Sequence, residues 1–404
     1  MQKYDPIIGK IADYVVDTQK FSDLAYETAS LCLQDAMACA HMAEAHPECT
    51  RILYEDENDP VHAAFNLGTK IRWLDYNDTW LAKEWGHPSD NIGAIMAVGN
   101  HLKDHELLQY IIKAYEIQGV LALDNAFNQY GIDHVILVKL ASAAVCMHIM
   151  GGDKDAVKRV ISQVFIDGQA LRTYRHAPNT GSRKSWAAGD ACARAIRLCQ
   201  LVEAGEMGYP TAITCPRWGF EACTLRGDKL RNDHDFGCYV IENILFKVAY
   251  PAEFHAQTAV EAALQLHAEV AGRLAEIEGV EIFTTEAGDR IINKTGPLHN
   301  YADRDHCLQF MVAVGLIYGE LTAESYSDVF AQDARIDALR EKMSVAEDAE
   351  FTRMYFDSEK RAIPNRVQVF FKDGSSTDVV QVDYPLGHRF RREEALPLLR
   401  EKFE

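Results

Sequence analysis

Apolar residues recur at helical spacing through the first 270 positions, and no stretch there alternates long enough to predict a strand. Ser22 is a suitable N-cap for a helix through Ala40, with Leu24, Ala25, Ala29, Cys32, Leu33, Ala36 and Met37 on one broad face. Asp59-Pro60 joins a capping carboxylate to a proline at the first helical position and predicts a helix to about Leu74. Further helices are expected from about Glu106 to Ala122, Val135 to Met150, Asp153 to Ile166, and Ser185 to Glu203. The small residues of Ala141–Cys146 and Ala187–Ala195 suit close helix–helix approach.

The pattern changes after about Gly272. Val280–Thr285 is short and rich in β-formers, and Arg366–Asp383 reads as a hairpin. There Val367, Val369 and Phe371 alternate, Lys372-Asp373-Gly374-Ser375 turns the chain, and Val379, Val380 and Val382 return. Apolar helical patterns lie between them at His306–Tyr318 and Ala334–Met343, and Arg391–Glu404 is a short charged helix. The expected fold is mainly α: an all-helical domain over 1–270, an α+β domain over 271–385, and a C-terminal helical segment over 386–404 returning to the helical domain.

Composition narrows the function more than the fold. The 404 residues carry 41 Lys+Arg against 60 Asp+Glu, a formal charge of −19, so neither nucleic acid nor an anionic membrane is an expected partner. Apolar runs such as Val135–Val138 and Ala141–Cys146 fall far short of the ~20 residues that span a bilayer. The N-terminus has no basic region followed by an apolar one, and a cytoplasmic location is expected. None of the ten cysteines is spaced C-x-x-C; reduced thiols are expected, and no iron–sulfur cluster. His41, His46, His101 and His105 have suggestive spacings but no third ligand in a recognisable context, so no metal site is expected. Phosphate-binding glycine loops and the serine-hydrolase elbow are absent.

Two windows carry candidate chemistry. Gly168–Gly189 holds Arg172, Arg175, His176, Arg183 and Lys184 and no acid, a local cationic patch in an acidic chain. Guanidinium groups match carboxylates bidentately, so the patch suits a polycarboxylate; a solvated basic loop is the plainer reading. It leads into the N-terminus of the Ser185 helix, which adds free N–H donors. In Trp73–Asp90, three tryptophans, Asp75, Thr79 and His87 crowd a short segment; a continuing helix would put Asp75 and Thr79 on one face. His134 opens an apolar helix, where the dipole would favour a neutral base. Lys247, Glu253 and His255 surround Pro251. Taken singly, none of these names a reaction.

Several strings become specific together. AAFNLGTKIRWLDYNDTWLAKEWGHPSDNIGAI, LRTYRHAPNTGSRKSWAAGDA, GEMGYPTAIT, LFKVAYPAEFHAQTAVEAA and GPLHNYADRDHCLQF resemble the MmgE/PrpD family over almost the whole chain. The resemblance implies a large helical domain with a smaller α/β lid, a homodimer, and a lyase without a cofactor. Its implied reaction removes water from 2-methylcitrate to give 2-methyl-cis-aconitate, within propionate catabolism. Matching strings carry the family's site onto Asp75, Thr79 and His87, and comparison with related cis-aconitate decarboxylases adds His134 and Lys184. Lys247 corresponds to a further lysine whose spacing to Pro251 differs by one. Phe310 stands where similar enzymes have a pocket tyrosine, and Glu253 where some have a histidine. Together with the cationic window and the Pro251 cluster, this gives His87, His134, Asp75 and Lys184 as expected catalytic residues, with Thr79, Arg172, Arg175, His176, Arg183, Lys247 and His255 binding substrate. His134 is the expected base and His87 the expected acid. Set against that family, the loop before Asp59 is compressed to YEDEN, a spacer before His105 is trimmed and no helical tail follows Glu404, so a natural short variant or an engineered compact version is expected. Two alternatives stay open: decarboxylation of cis-aconitate, and a scaffold that binds tricarboxylates without turnover.

Overall fold

The computed structural model describes residues 3–176, 178–357 and 359–403, and it is mainly α. The chain forms two compact units, which meet in sequence at Leu245 and Phe246.

In the first unit the longer helices are α1 (Pro6–Val16), α2 (Asp23–Ala43), α3 (Pro60–Trp73), α4 (Ile92–Val98), α5 (Asp104–Asp124), α6 (Val135–Ile149), α7 (Lys154–Ile166) and α8 (Arg183–Glu203). Their starts follow from the caps. Ser22 accepts from Ala25 N, Asp59 from Val61 N and Asp153 from Ala156 N, each satisfying one otherwise orphaned donor. Helix α6 is apolar all round and buried along its length except at His148, as expected of a central helix. Its only cation, Lys139, donates to the Asp167 and Gly168 carbonyls at the end of α7.

Helices α3, α4 and α8 approach at three glycines. A methyl group at Gly93 would lie 2.6 Å from Gly68 N, at Gly68 2.9 Å from Gly189 Cα, and at Gly189 2.5 Å from Phe65 O. This is the close packing that the small residues of Ala187–Ala195 predict, and it fixes both ends of the segment between α3 and α4.

The second unit is α+β. Helix α9 (Gln257–Val270), read from its apolar pattern as part of the helical body, packs here against strands and a following helix. The sheet has the order β2-β1-β3-β4, with β1 (Ile277–Thr284), β2 (Met343–Glu347), β3 (Asn365–Phe371) and β4 (Val380–Val382). β2 runs parallel to β1, with Val280 opposite Met343; β3 runs antiparallel to β1 and to β4, forming the expected hairpin. Val367, Val369 and Phe371 face inward onto α9 and α10 (Leu308–Tyr318), within one apolar core that includes Val260, Ala263, Leu308 and Met311. Helix α11 (Ala334–Arg340) ends before Met343, which belongs to β2, and α12 (Arg392–Phe403) closes the described chain.

All ten cysteines are free thiols, and most are buried. Among the described residues no helix is long and apolar enough to cross a membrane.

Candidate active site in the helical unit

The segment between α3 and α4 has little regular structure yet is buried almost throughout. Asp75, Asn77, Asp78, Thr79, Glu84, His87, Ser89, Asp90 and Asn91 all lie in the interior. Helix α3 does not continue into it: Asp75 adopts φ 51°, a left-handed conformation uncommon outside glycine, and ends the helical hydrogen bonding. Asp75 and Thr79 therefore do not share a helical face, contrary to the expectation from spacing. Paired main-chain bonds fix the segment instead, between Thr79 and Leu245 and between Trp80 and Gly86. Asp75 accepts from Arg72 Nη1 at 2.5 Å.

His87, extended before Pro88 as predicted, has its Nδ1 2.6 Å from the Asp78 carbonyl and 3.3 Å from Thr79 Oγ1. A carbonyl only accepts, so Nδ1 carries a proton and Nε2 is the exchangeable atom. Nε2 lies 3.8 Å from Asp75 Oδ1. The His134 ring stands 5.9 Å from that of His87, centroid to centroid. Its Nδ1 is 3.3 Å from Asp133 Oδ1 and its Nε2 3.8 Å from Asp90 Oδ2, and neither nitrogen makes a hydrogen bond to a described residue. The His134 pKa lies below the ordinary imidazole value. Burial is the main cause, with Arg175 adding to it and Asp133 and Asp90 opposing. The direction matches the expectation of a neutral base; the helix dipole is not the leading reason. Gly86 leaves room for the ring, since a Cβ there would sit 3.1 Å from His134 Cδ2 and 3.2 Å from Gln118 Nε2.

The cationic window divides into two kinds of residue. Arg172, Arg175 and Lys184 are buried, whereas His176 is exposed and Arg183 partly so. Arg175 forks onto both oxygens of Asp133. Burial alone would raise the Asp133 carboxyl; the charge of Arg175, aided by His134 and Arg172, holds it well below the usual range. Arg172 stacks over the Trp85 ring at 5.4 Å, with Nη1 3.7 Å from Glu84 Oε1. Burial raises the Glu84 carboxyl to about 7, against the pull of Arg172 and of two hydrogen bonds from Asn128. Arg183 packs on Trp186 at 4.2 Å and pairs with Asp190. The window lacks acids of its own, but the fold supplies them from distant positions. Helix α8 begins at Arg183, two residues earlier than expected.

Lys247 and His255 belong to the second unit and are fully buried there. His255 Nδ1 lies 2.9 Å from Glu253 Oε1, and Nε2 lies 3.2 Å from the Tyr355 hydroxyl. Phe310 is buried beside Tyr326, ring centroids 6.0 Å apart.

The first unit thus gathers Asp75, Thr79, His87 and His134, and adds Arg72, Asp78, Glu84, Asp90 and Asp133, which the sequence reading did not single out as site residues. Asp78 and Asp90 stand in the same crowded string as His87, and Asp133 directly precedes His134, so adjacency was the available signal.

Comparison with known proteins finds matches that cover both units. The MmgE/PrpD N-terminal domain matches residues 9–233 and the MmgE/PrpD C-terminal domain residues 250–404. The chain is 49% identical to the 2-methylcitrate dehydratase of Escherichia coli (strain K12), covering 100% of this chain and 90% of that protein. It is 50% identical to the 2-methylcitrate dehydratase of Cupriavidus necator, covering 99% and 89%. A mitochondrial 2-methylcitrate dehydratase of Yarrowia lipolytica is 48% identical, with 99% and 83% covered. With both family domains matched in order and near-complete coverage at about half identity, this chain belongs to the MmgE/PrpD family.

Proposed function

We infer that this chain is a 2-methylcitrate dehydratase, a hydro-lyase that eliminates water from 2-methylcitrate to give 2-methyl-cis-aconitate. The observation that carries the reading is its 48–50% identity, over essentially the whole chain, to proteins of that name. Elimination breaks a C–H bond beside a carboxylate and a C–O bond on the next carbon, so one group must take a proton and another must give one. A buried histidine kept neutral suits the first task, and His134 is assigned as base. His87, whose Nε2 faces Asp75, suits the second, because a neighbouring carboxylate favours the ring that carries the proton to be given. Arg172 and Lys184 are assigned to the substrate carboxylates, where negative charge grows in the transition state. Arg175 is reassigned from substrate contact to holding Asp133 ionised beside His134. Thr79 supports His87, while Lys247 is a proposed contact on the resemblance, His176 and Arg183 on their place in the cationic string, and His255 on its place beside Pro251.

The division into a helical domain and a smaller α+β domain and a homodimer are proposed on the same resemblance, and a cytoplasmic location on the free thiols. A sedimentation mass near 45.4 kDa, rather than about twice that, would count against the dimer. The activity is tested by incubating purified protein with 2-methylcitrate and following the unsaturated product in the ultraviolet. Product mass distinguishes loss of water from loss of carbon dioxide. Folded protein that yields no product overturns the reading, and calorimetric binding of citrate without turnover would favour a scaffold.

A further inference from the structure

One residue ties both sides of the His87 segment together. The Asp78 carbonyl receives the His87 Nδ1–H at 2.6 Å, while its side chain is fully buried and bonds elsewhere. Asp78 Oδ1 accepts from Ser89 Oγ at 2.8 Å and from Ser89 N at 3.2 Å, two residues beyond His87. Asp78 Oδ2 accepts from the Tyr115 hydroxyl at 2.6 Å, on α5. Ser89 Oγ also receives Asn77 Nδ2 at 2.9 Å, so the chain before and after His87 is cross-tied at adjacent residues.

We propose that Asp78 is a positioning residue for His87: its carbonyl selects the Nδ1–H tautomer, and its carboxylate, anchored to Tyr115 and Ser89, holds that carbonyl in place. The inference rests on the reading that His87 works in the dehydration. An imidazole that turned over would present a carbon to Asp75; with Nδ1–H held on the Asp78 carbonyl, the doubly protonated ring gives up its proton from Nε2 and is left as the neutral Nδ1–H tautomer. A fixed carbonyl prevents the ring from turning without adding a charge next to it. The carboxylate is well suited as the anchor because it accepts from three donors at once and leaves none of its own to satisfy. Burial raises the Asp78 carboxyl to about 7, while the hydrogen bonds from Tyr115 and Ser89 pull it down and favour the ionised anchor.

The test uses two variants of the full chain, Tyr115→Phe and Asp78→Asn, with the first removing a single hydroxyl. Nitrogen-15 spectra of histidine-labelled protein, taken above the ordinary imidazole titration range, report the tautomer; the His87→Gln spectrum identifies the His87 signal. In the unsubstituted protein His87 should be protonated at Nδ1. In Tyr115→Phe the signal should move towards mixed tautomers, with kcat lower by roughly 10- to 100-fold and KM little changed. Asp78→Asn should have the larger effect of the two. A protein whose neutral His87 is protonated at Nε2 overturns the proposal, as does a folded Tyr115→Phe that keeps both the tautomer and kcat. Absence of turnover on 2-methylcitrate in the unsubstituted protein would instead remove the functional reading, with the tautomer result standing independently.

Discussion

Helix α6 and the segment Trp73–Asn91 are neighbours in the same unit and are buried to a similar degree, but they are buried for different reasons. In α6 the interior positions are Val, Ile, Leu, Ala, Cys and Met with a single serine, which donates to Asn91, and the one interior cation is satisfied by two main-chain carbonyls and the Asp167 carboxylate. In Trp73–Asn91 the interior holds four carboxylates, a histidine, a threonine and two asparagines. Several buried atoms around it, among them Asp90 Oδ2, Glu84 Oε1 and both nitrogens of His134, make no hydrogen bond to a described residue. Leaving such a group unsatisfied costs about 1–3 kcal/mol, so the segment draws on stability that α6 provides. Apolar burial in α6 adds to stability, and polar burial in the segment subtracts from it.

That contrast breaks if substitutions in the two regions have the same kind of effect. The largest separation is expected for His134→Gln and His87→Gln. Each should lower kcat by ~10²–10⁴-fold while leaving the melting temperature and citrate binding nearly unchanged; near-normal turnover in either would make that histidine structural. In α6, Leu140→Ala should do the reverse, losing about 2–5 kcal/mol of stability to denaturant with kcat per folded molecule unchanged.

Gly86→Ala sharpens the comparison inside the segment itself. The added methyl must displace the His134 ring or Gln118 by a few tenths of an ångström, and kcat should fall by roughly 10-fold with the fold intact. A larger fall in stability than in kcat would place Gly86 with the scaffold. The smallest effect is a pH shift. Arg175 lowers the His134 pKa, so Arg175→Met should raise it and move the acid limb of kcat/KM to higher pH. In the unsubstituted protein the depressed His134 pKa implies that stability falls as pH drops below about 6.5, where the unfolded ring binds a proton that the folded one does not. A limb that stays in place would separate Arg175 from His134.

The helices were legible because their caps are local: Ser22, Asp59-Pro60 and Asp153 each announce a start within three residues. Strand β2 was not, since it is short, half-exposed and parallel to β1, and a parallel partner leaves no turn signal between them. His87 and His134 were legible as residues, the first through the density of polar groups around it and the second through its place at a helix start. The partners that define their chemistry were not. Arg175 and Asp133 are 42 positions apart, and nothing in the cationic string shows that one of its arginines is already engaged. The end of α3 at Asp75 depends on a left-handed residue that spacing arguments assume away.

The junction of Gly68, Gly93 and Gly189 has a consequence for how this protein can vary. At most packed positions a sequence can move by small steps, exchanging one side chain for another of similar volume. Here the smallest available step is a methyl group, and it meets main-chain atoms at 2.5–2.9 Å, which cannot swing aside as a side chain does. Laboratory evolution of this chain should find these three sites closed to single changes, because the gentlest mutation on offer already moves a helix.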